Sequence, residues 1–444
     1  MAQIASRRNS ELFLLIVGLI VGAGALVLVA IALNENKAGR ALPYVIALIV
    51  CYVAAHIVVR QVASQGDQLI LPITAVLNAL GLAAIFRLST NELDVGPTQV
   101  VWTVVGILCF IAAIVFVRDY RALARYKYIF GFVGIGLLLL PLSPLGATIN
   151  GARLWLKFGS YSFQPGELAK ICLVVFFAAY LAERKELLSV ASRRVLGMHV
   201  PDLKHFGPLL VMWGVSLAVM FFEKDLGSSL LFFSIFLIML YIATARIVYM
   251  LFGFSLFAAG AYIGYQIFPH VQDRVEVWLN VFDPKLINDE AYQLAQSLFA
   301  LATGGMFGTG LGRGRPDLIP AAHTDFVYSV IGEELGLLGT TAVLVCFMVL
   351  VARGLKTALD SRDDFGQLLA AGLTSILAVQ TFIILAGVTG LLPLTGITLP
   401  FMSYGGSSLL SNFILIALLI RISHQSAAEP APAHTAEILV GGRR

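Results

Sequence analysis

A pair of opposite charges, Glu167 and Lys170, stands at the opening of an apolar run, directly after Gln164-Pro165-Gly166. The Pro-Gly turn predicts the start of a helix, and a spacing of three residues places both side chains on one face of it. Charges at membrane depth are costly unless they are paired or face a polar cavity. The pair therefore has two interpretations: a structural ion pair that fixes the helix end, or an ionic element lining a cavity open to the outside.

A second set of charged side chains lies in a polar connector at residues 270–325, which apolar runs flank on both sides. A connector this long and this polar is more often functional than filler. A carboxylate in it is a candidate general base. The guanidinium groups of Arg313 and Arg315, beside a flexible glycine run at 304–314, are candidates to meet a diphosphate. As a nucleotide motif the run is weak, because it has no strand–loop–helix setting and no Walker lysine.

Three charges in Glu223-Lys224-Asp225 separate two further apolar runs. One interpretation is a tight hairpin at the membrane interface, with Lys224 extending its ammonium group toward water. The other places Asp225 at a helix N-terminus that faces the cavity, where the helix dipole favours a negative charge.

Two more motifs carry polar groups into apolar runs. His323 and Asp325 precede a span whose first turns contain Glu333 and Glu334, and His323 alone is not a metal site. The motif at 399–408 is rich in serine and glycine, and small residues of this kind permit close helix packing. That structural interpretation is strong for Ser407 and Ser408, while Ser403 and Ser407 are also candidates to line the cavity.

Composition indicates what kind of frame must hold these groups. The chain has 444 residues, of which 59% are hydrophobic and 13% are charged, whereas soluble domains have about 25% charged residues. Its mean hydropathy is +0.88. A soluble chain this apolar would have no surface to present to water, so the composition predicts a polytopic membrane protein. The cysteines lie inside apolar runs and have neither an evident disulfide role nor metal-ligand spacing.

Twelve apolar runs are candidates to cross a bilayer, which takes about 20 residues. They lie at about 12–33, 42–62, 69–88, 98–117, 128–146, 167–183, 207–222, 226–244, 247–268, 326–352, 366–391 and 399–420. The predicted fold is therefore an all-α polytopic membrane protein of about twelve helices. We divide it into a two-helix extension at 1–68, a ten-helix core at 69–421 with the long loop at 270–325, and a tail at 422–444. The tail is rich in Ala, Pro and Glu and is predicted to be disordered.

The distribution of Lys and Arg predicts the orientation, because basic residues collect on the cytoplasmic side. The connections at 118–127, 184–206 and 353–365 are rich in bases, whereas the connection at 89–97 has two acids and no base. Both termini are therefore expected in the cytoplasm. The loop at 270–325 and the segment at 146–166 are expected on the outer face.

Five motifs follow one another in a specific order: QPGELAK at 164–170, KDLGSS at 224–229, YQLAQSLFALATGGMFGTGLGRG at 292–314, HTDFVYSVIGEELG at 323–336 and LPFMSYGGSS at 399–408. This series resembles the SEDS family of bacterial cell-wall polymerases, the RodA/FtsW/SpoVE group, over about residues 69–421. The two spans before residue 69 are similar to those of the extended RodA-type members of actinobacteria.

The resemblance implies a peptidoglycan glycosyltransferase in the cell membrane that polymerises lipid II into glycan strands for cell elongation and shape. Its donor would be lipid II, its acceptor the growing glycan chain, and its leaving group undecaprenyl diphosphate. It also implies a partner, a class B penicillin-binding protein, which is a transpeptidase.

The family's essential aspartate lies in the external loop ahead of the YQL segment, usually in an Asp-Pro pair. Asp283-Pro284 keeps the pair but lies further before Tyr292 than in the family, and Asp289 lies closer. We predict Asp283 as the catalytic residue, with Asp289 as the alternative. The family's arginine before a tryptophan is also displaced here, because Arg153 stands one position earlier. The predicted substrate and cavity residues are Glu167, Lys170, Arg153, Lys224, Asp225, Arg313, Arg315, His323, Asp325, Ser403 and Ser407.

The chemistry fits these residue types. Glycosyl transfer from a lipid diphosphate needs a base for the acceptor hydroxyl and positive charge for the departing diphosphate, from guanidinium groups or from a divalent cation such as Mg²⁺ or Mn²⁺. The alternatives left open are a lipid II flippase or transporter, a division-type polymerase like FtsW, and a scaffold that only activates its transpeptidase partner. A carboxylate-bearing loop outside the lipid favours the enzyme, because translocation does not need one.

Overall fold

The structure is a computed structural model that describes residues 2–33, 35–89, 95–149, 152–159, 161–189, 193–195, 198–200, 207–222 and 225–428. Its helices are α1 (Ala2–Leu33), α2 (Glu35–Val62), α3 (Ile70–Leu88), α4 (Val95–Phe116), α5 (Ala122–Arg125), α6 (Lys127–Leu139), α7 (Gly166–Ser189), α8 (Gly207–Phe222), α9 (Leu226–Thr244), α10 (Ile247–Ile267), α11 (Pro269–Leu279), α12 (Tyr292–Gly304), α13 (Val327–Asp360), α14 (Asp364–Val388) and α15 (Gly406–Ala428). Its strands are β1 (Gly146–Ile149), β2 (Ala152–Phe158), β3 (Tyr161–Phe163), β4 (Arg193–Val195) and β5 (Met198–Val200).

The prediction of an all-α polytopic membrane protein is confirmed. In the described part of the chain, nine helices are long and apolar enough to cross a membrane: α1, α2, α3, α4, α9, α10, α13, α14 and α15. The other three predicted spans correspond to α6, α7 and α8. Helices α6 and α8 have 13 and 16 residues, and α7 carries charged residues at both ends.

The tail differs from its predicted start at residue 422, because α15 continues to Ala428. Arg421 is buried, and its guanidinium group donates a hydrogen bond to the Val62 carbonyl. The Gln425 side chain donates to the Arg118 carbonyl. These contacts hold the last turns of the helix against the bundle. The rest of the predicted tail lies outside the described residues.

Close backbone approaches hold the core together, as small residues allow in membrane bundles. A Cβ on Gly81 of α3 would overlap the Met402 backbone. A Cβ on Gly406 of α15 would overlap the Trp102 indole. Helix α3 therefore packs directly against the 399–408 motif and fixes its position.

The segment at 146–163 forms a small antiparallel sheet with the order β1-β2-β3. Gly146 pairs with Leu156, and Leu156 pairs in turn with Phe163. The sheet was not predicted from the sequence. It ends directly before α7 and so leads the chain into Glu167.

The long loop contains two helices, α11 and α12, that were not predicted. Both are tied to the end of α14 or to the segment that follows it. The Trp278 indole N–H donates to the Gly390 carbonyl at 2.8 Å, and the Arg274 guanidinium donates to the Leu394 carbonyl at 2.9 Å. From α12, the Ser297 hydroxyl donates to the Val388 carbonyl at 3.0 Å. The loop is therefore an ordered layer on one end of the bundle.

Helix α13 is broken at Gly336, where φ is 66° and ψ is −164°. The glycine-rich run pairs with the backbone on both sides of this break. Leu337 N–H donates to Gly305 O at 2.9 Å, and Thr309 N–H donates to Glu333 O at 2.9 Å. A Cβ on Gly336 would overlap Gly308 N, so only glycine fits this position.

The orientation remains a prediction, and cysteine labelling tests it. In a background with the native cysteines replaced by alanine, we expect Tyr126→Cys to react with an impermeant maleimide only after the membrane is opened. Phe307→Cys, in the long loop, should react in intact cells. Both side chains are well exposed, at 56% and 79%, so each site is open to the reagent. Labelling of Tyr126→Cys in intact cells would overturn the orientation.

Candidate functional site

The charged pair at the start of α7 is buried and connected to two neighbouring helices. Lys170 Nζ lies 2.8 Å from Glu167 Oε2, and the two residues are 4% and 8% exposed. Lys170 Nζ also donates to Gln380 Oε1 of α14 at 3.0 Å. Ser411 Oγ of α15 donates to Glu167 Oε2 at 3.1 Å. The predicted pairing on one helix face is confirmed, and the pair joins three helices.

The serines of the 399–408 motif fasten the backbone around this pair. Ser407 Oγ accepts a hydrogen bond from Gln164 N–H at 2.7 Å. Ser403 Oγ accepts from Leu399 N–H at 2.9 Å, and Thr398 donates its hydroxyl to Ser408 Oγ at 2.8 Å. The structural interpretation of Ser407 and Ser408 fits these contacts, and Ser407 binds the turn that leads into Glu167.

Asp225 caps the N-terminus of α9, as one of the two sequence interpretations predicts. Its Oδ1 accepts a hydrogen bond from Ser228 N–H at 2.9 Å. Burial raises the pKa of Asp225, and the negative charge of Glu167 raises it further, while hydrogen bonds from Ser228 and the charge of Lys170 oppose the rise. With Gln164 and Ser228, Asp225 lines a small cleft beside the pair. Lys224 lies outside the described residues.

His323 and Asp325 lie at the same end of the bundle, against the segment between α14 and α15. The Tyr404 N–H donates to the His323 carbonyl at 2.8 Å, and the two rings meet edge to face at 5.6 Å. A Cβ on Gly396 would lie 3.7 Å from Asp325 Oδ2. Burial raises the pKa of Asp325 to about 6, although the Thr324 hydroxyl and the Arg274 charge oppose this.

The two aspartates predicted to be catalytic are exposed in the turn between α11 and α12. Asp283 Oδ1 accepts a hydrogen bond from Lys285 N–H at 2.9 Å, and the Asp283 carbonyl accepts from Ile287 N–H at 2.9 Å. This is the local turn that an aspartate before proline commonly makes. Within the described residues, no salt bridge involves Asp283 or Asp289.

Among the described residues, the three predicted arginines form no salt bridge with the buried pair. Arg153 Nη2 donates to the Ser143 carbonyl at 2.8 Å and fixes the start of the small sheet. Arg315 pairs at 3.3 Å with Asp317, and both side chains are exposed. Arg313 is also exposed, on the glycine-rich run. Arg274, also in the long loop, donates to the Leu394 carbonyl.

Three backbone amides of the segment at 310–315 are hydrogen-bonded to α13, and the predicted role of Arg313 and Arg315 at a diphosphate stays a prediction. Gly310 N–H donates to the Glu334 carbonyl at 3.0 Å, and Gly312 N–H donates to Glu334 Oε2 at 2.9 Å. Arg315 N–H donates to Glu333 Oε1 at 2.8 Å. These amides already bind the buried glutamates of α13, which is why they are not available to an anion.

Two polar residues that bind the buried charged groups were missed by sequence reasoning. Arg87, at the end of α3, donates to Glu334 Oε1 at 3.1 Å and to the Gly314 carbonyl at 2.9 Å. Gln380 accepts from Lys170 and donates to the Thr398 carbonyl at 2.8 Å. Each is a polar residue within an apolar sequence, and that isolation is the signal that could have found them. In the parts of the chain that the structure describes, no group of three or more His, Cys, Asp or Glu side chains could hold a metal ion.

An apolar helical bundle with a buried ion pair, beneath an ordered layer that carries exposed carboxylates, defines a polytopic membrane protein with a polar site at one face. A family model described as cell cycle protein, which combines FtsW, RodA and SpoVE, matches residues 67–428. The chain belongs to this FtsW/RodA/SpoVE family, as the motif series predicted.

Curated relatives agree with the family model. The chain is 46% identical over 429 residues to the peptidoglycan glycosyltransferase RodA of Mycobacterium tuberculosis, covering 94% of this chain and 91% of the relative. It is 31% identical over 377 residues to the stage V sporulation protein E of Bacillus subtilis, covering 82% and 98%. The helices α1 and α2 precede the part matched by the family model but lie within the extent of the longest matches.

Two solved structures show the same fold. One comes from a study of the structural coordination of polymerisation and crosslinking by a peptidoglycan synthase complex, with a TM-score of 0.66 and 24% identity over 82% of this chain and 99% of that chain. The other is the rod shape determining protein RodA of Thermus thermophilus, with a TM-score of 0.57 and 24% identity over 82% of this chain and 98% of that chain.

Proposed function

We propose that this chain is a peptidoglycan glycosyltransferase of the cell membrane that polymerises lipid II into glycan strands. The observation that carries the proposal is the 46% identity, over nearly the whole chain, to a protein named for this activity. An elongation role is favoured over a division role, since a relative named as a probable FtsW polymerase is 37% identical over a shorter stretch.

The proposed reaction is an inverting displacement at the anomeric carbon of the donor sugar. The acceptor hydroxyl oxygen forms the new glycosidic bond as the bond to the diphosphate oxygen breaks. The acceptor proton passes to a carboxylate, and undecaprenyl diphosphate leaves with the electron pair. A positioned base of this kind contributes typically about 10²–10⁴-fold to a rate.

Asp283 is the proposed base, with Asp289 as the alternative. Its exposed position in the layer outside the bundle supports the proposal, because the acceptor glycan also lies outside the bilayer. The local turn uses Oδ1, and Oδ2 accepts no hydrogen bond from the described residues. The carboxylate can therefore face a substrate while the turn keeps its backbone in place.

The charge on the leaving diphosphate needs compensation, and Arg313 and Lys285 are exposed cations in the same layer. A divalent cation is the second proposed source. Mg²⁺ usually binds through one or two carboxylates together with substrate phosphates rather than in an all-protein cage. Asp283 or Asp289 could supply such a carboxylate ligand. The acceptor proton still passes to a carboxylate of the protein.

The cleft beside Glu167, Lys170 and Asp225 is the proposed contact with the part of the substrate that stays near the membrane. Buried charged groups that face a cavity commonly mark a substrate path in membrane proteins. The pair follows the small sheet in the chain, and Gln164, just before the pair, binds Ser407 of the 399–408 motif.

A class B penicillin-binding protein is the proposed partner. The similar structure from a peptidoglycan synthase complex supports this, because that complex coordinates polymerisation with crosslinking. Crosslinking is the reaction of a transpeptidase, and a polymerase bound to one would deliver its product directly.

Purified protein reconstituted with fluorescent lipid II tests the function against its rivals. We expect glycan polymer that a muramidase degrades. A flippase would instead equilibrate lipid II across the bilayer without polymer, and a scaffold would do neither. If the same amount of polymer forms in vesicles without the protein, the proposal that this protein is the polymerase is contradicted.

A further inference from the structure

Helix α1 lies outside the part of the chain matched by the family model, yet it packs against α3 and against the glycine-rich run, which both lie within that part. Its sequence has glycines at positions 18 and 22, four residues apart, which places both on one face. A Cβ on Gly18 would lie 2.8 Å from Val76 Cγ2, and a Cβ on Gly22 would overlap Ala79 Cβ. Helix α1 therefore packs so close to α3 that neither glycine has room for a Cβ.

Buried charges fix one end of α1. The Arg8 guanidinium pairs with Glu11 and donates to the carbonyls of Ser64, at 3.0 Å, and of Gly66. Glu11 Oε1 in turn lies 2.7 Å from His56 Nδ1 of α2. These side chains are nearly inaccessible to solvent, and breaking a buried pair of this kind is strongly destabilising. The buried charges thus prevent α1 from sliding along its axis, and the glycine contacts hold it against α3.

The other end of α1 lies against the glycine-rich run. A Cβ on Gly312 would lie 2.6 Å from Ala32 Cβ and 3.4 Å from the Val29 carbonyl. Gly312 has a φ of 77°, in the left-handed region, so the run turns sharply where it meets α1. On the far side of this turn, Gly312 N–H binds Glu334, which Arg87 also binds.

The glycine-rich run is therefore held between α1 and the Arg87–Glu334 pair. The run begins where α12 ends at Gly304, and α12 begins directly after the turn that carries Asp283 and Asp289. A displacement of the run would move the end of α12, because Gly308 N–H donates to Gly304 O at 2.8 Å.

We propose that α1 is a positioning element of the polymerase, which holds the glycine-rich run on the Arg87–Glu334 pair and thereby keeps the α12 layer in place over the site. The proposal rests on the polymerase function for its effect on rate, and on geometry alone for its effect on the run. The contact between α1 and α3 is steric, so moving a methyl group from one helix to the other tests the proposal.

The test compares Gly22→Ala with Gly24→Ala, which makes the same change two residues away where a Cβ would meet nothing within 4 Å. The compensating variant is Gly22→Ala with Ala79→Gly, which moves the methyl group from α3 to α1. A reporter cysteine replaces the half-buried Leu311 on the run, in a background without the native cysteines.

We expect Gly22→Ala to label faster at the reporter, by roughly 5- to 150-fold, if the two contacts are coupled as strongly as distant sites in allosteric proteins typically are. Polymerisation should fall together with the rise in labelling. Gly24→Ala should match the parent protein, and the compensated pair should recover both properties. A merely destabilised protein would label faster at half-buried sites throughout the bundle, so Leu123→Cys, at a half-buried site away from the run, serves as the control that should not change.

A second variant covers the case in which Gly22→Ala fails to accumulate. Ala32→Val leaves the α1–α3 interface intact and places two methyl groups where Ala32 meets Gly312. We expect faster labelling of the run and slower polymerisation from it as well. If both variants label and polymerise like Gly24→Ala, the proposal is wrong. If the two variants remain folded and label faster, but neither they nor the parent protein makes polymer, the role of α1 stands and the polymerase function fails.

Discussion

Replacing Asp283 by asparagine should lower the rate of lipid II polymerisation by about 10²–10⁴-fold, the typical loss of a general base. Asparagine has nearly the same shape but cannot take a proton at neutral pH. It keeps an Oδ1 that can accept the Lys285 N–H hydrogen bond, so the turn at the start of the α12 layer should survive. The measurement is glycan polymer from purified protein, with membrane abundance and partner binding measured on the same samples.

Three matched variants separate the base from a structural role. Asp283→Ala removes both the carboxylate and the turn hydrogen bond. Asp317→Asn removes another exposed acid of the long loop and should remain active. Full activity of Asp283→Asn with loss in Asp283→Ala would assign Asp283 to the turn alone. If Asp289→Asn is inactive while Asp283→Asn is active, the base is Asp289. Activity in both asparagine variants would contradict the mechanism.

Replacing Lys170 by methionine should destabilise the protein by about 3–5 kcal/mol, the usual cost of leaving one buried charge without its partner. Glu167 would then face Ser411 without a cation beside it. Replacing both residues, as Glu167→Leu with Lys170→Met, should restore much of the stability, because an apolar pair of similar size often replaces a buried ion pair at little cost. Thermal unfolding in detergent measures both.

Polymerisation then separates the two interpretations of this pair. If the pair lines the substrate cleft, the double apolar variant should be stable and inactive. Full activity in a stable double variant would leave the pair with a structural role only. Lys356→Met is the control, since Lys356 and Asp360 form an exposed pair at 2.8 Å and pairs of that kind contribute about 1 kcal/mol or less.

Local spacing allowed the pair and the α9 cap to be predicted. Glu167 and Lys170 meet because residues three apart share a helix face, and Asp225 caps α9 because it directly precedes an apolar run. Hydropathy likewise predicted the spans, since lipid requires long apolar runs. These features depend only on residues that are close in the sequence.

The rest depends on partners far apart in the chain. The glycine-rich run is ordered because its amides reach Glu334, and that requires the break at Gly336, which no periodicity in the sequence predicts. Arg274 binds the Leu394 carbonyl, 120 residues away, rather than an acid of its own loop. Helices α11 and α12 were missed because a search for long apolar runs does not find short helices in a polar connector.

The break in α13 has a consequence for how this region opens. Around the break, Leu337 N–H and Leu338 N–H donate to the glycine-rich run, while Thr309 N–H and Gly310 N–H donate back to α13. Each segment therefore supplies the hydrogen-bond acceptors that the other lacks, and neither can detach without exposing the backbone of both. In native-state hydrogen exchange these four amides should form a single cooperative unit with one shared opening free energy. The glycine-rich run, with the α12 layer next to it, and the start of the α13 span would then loosen together or not at all.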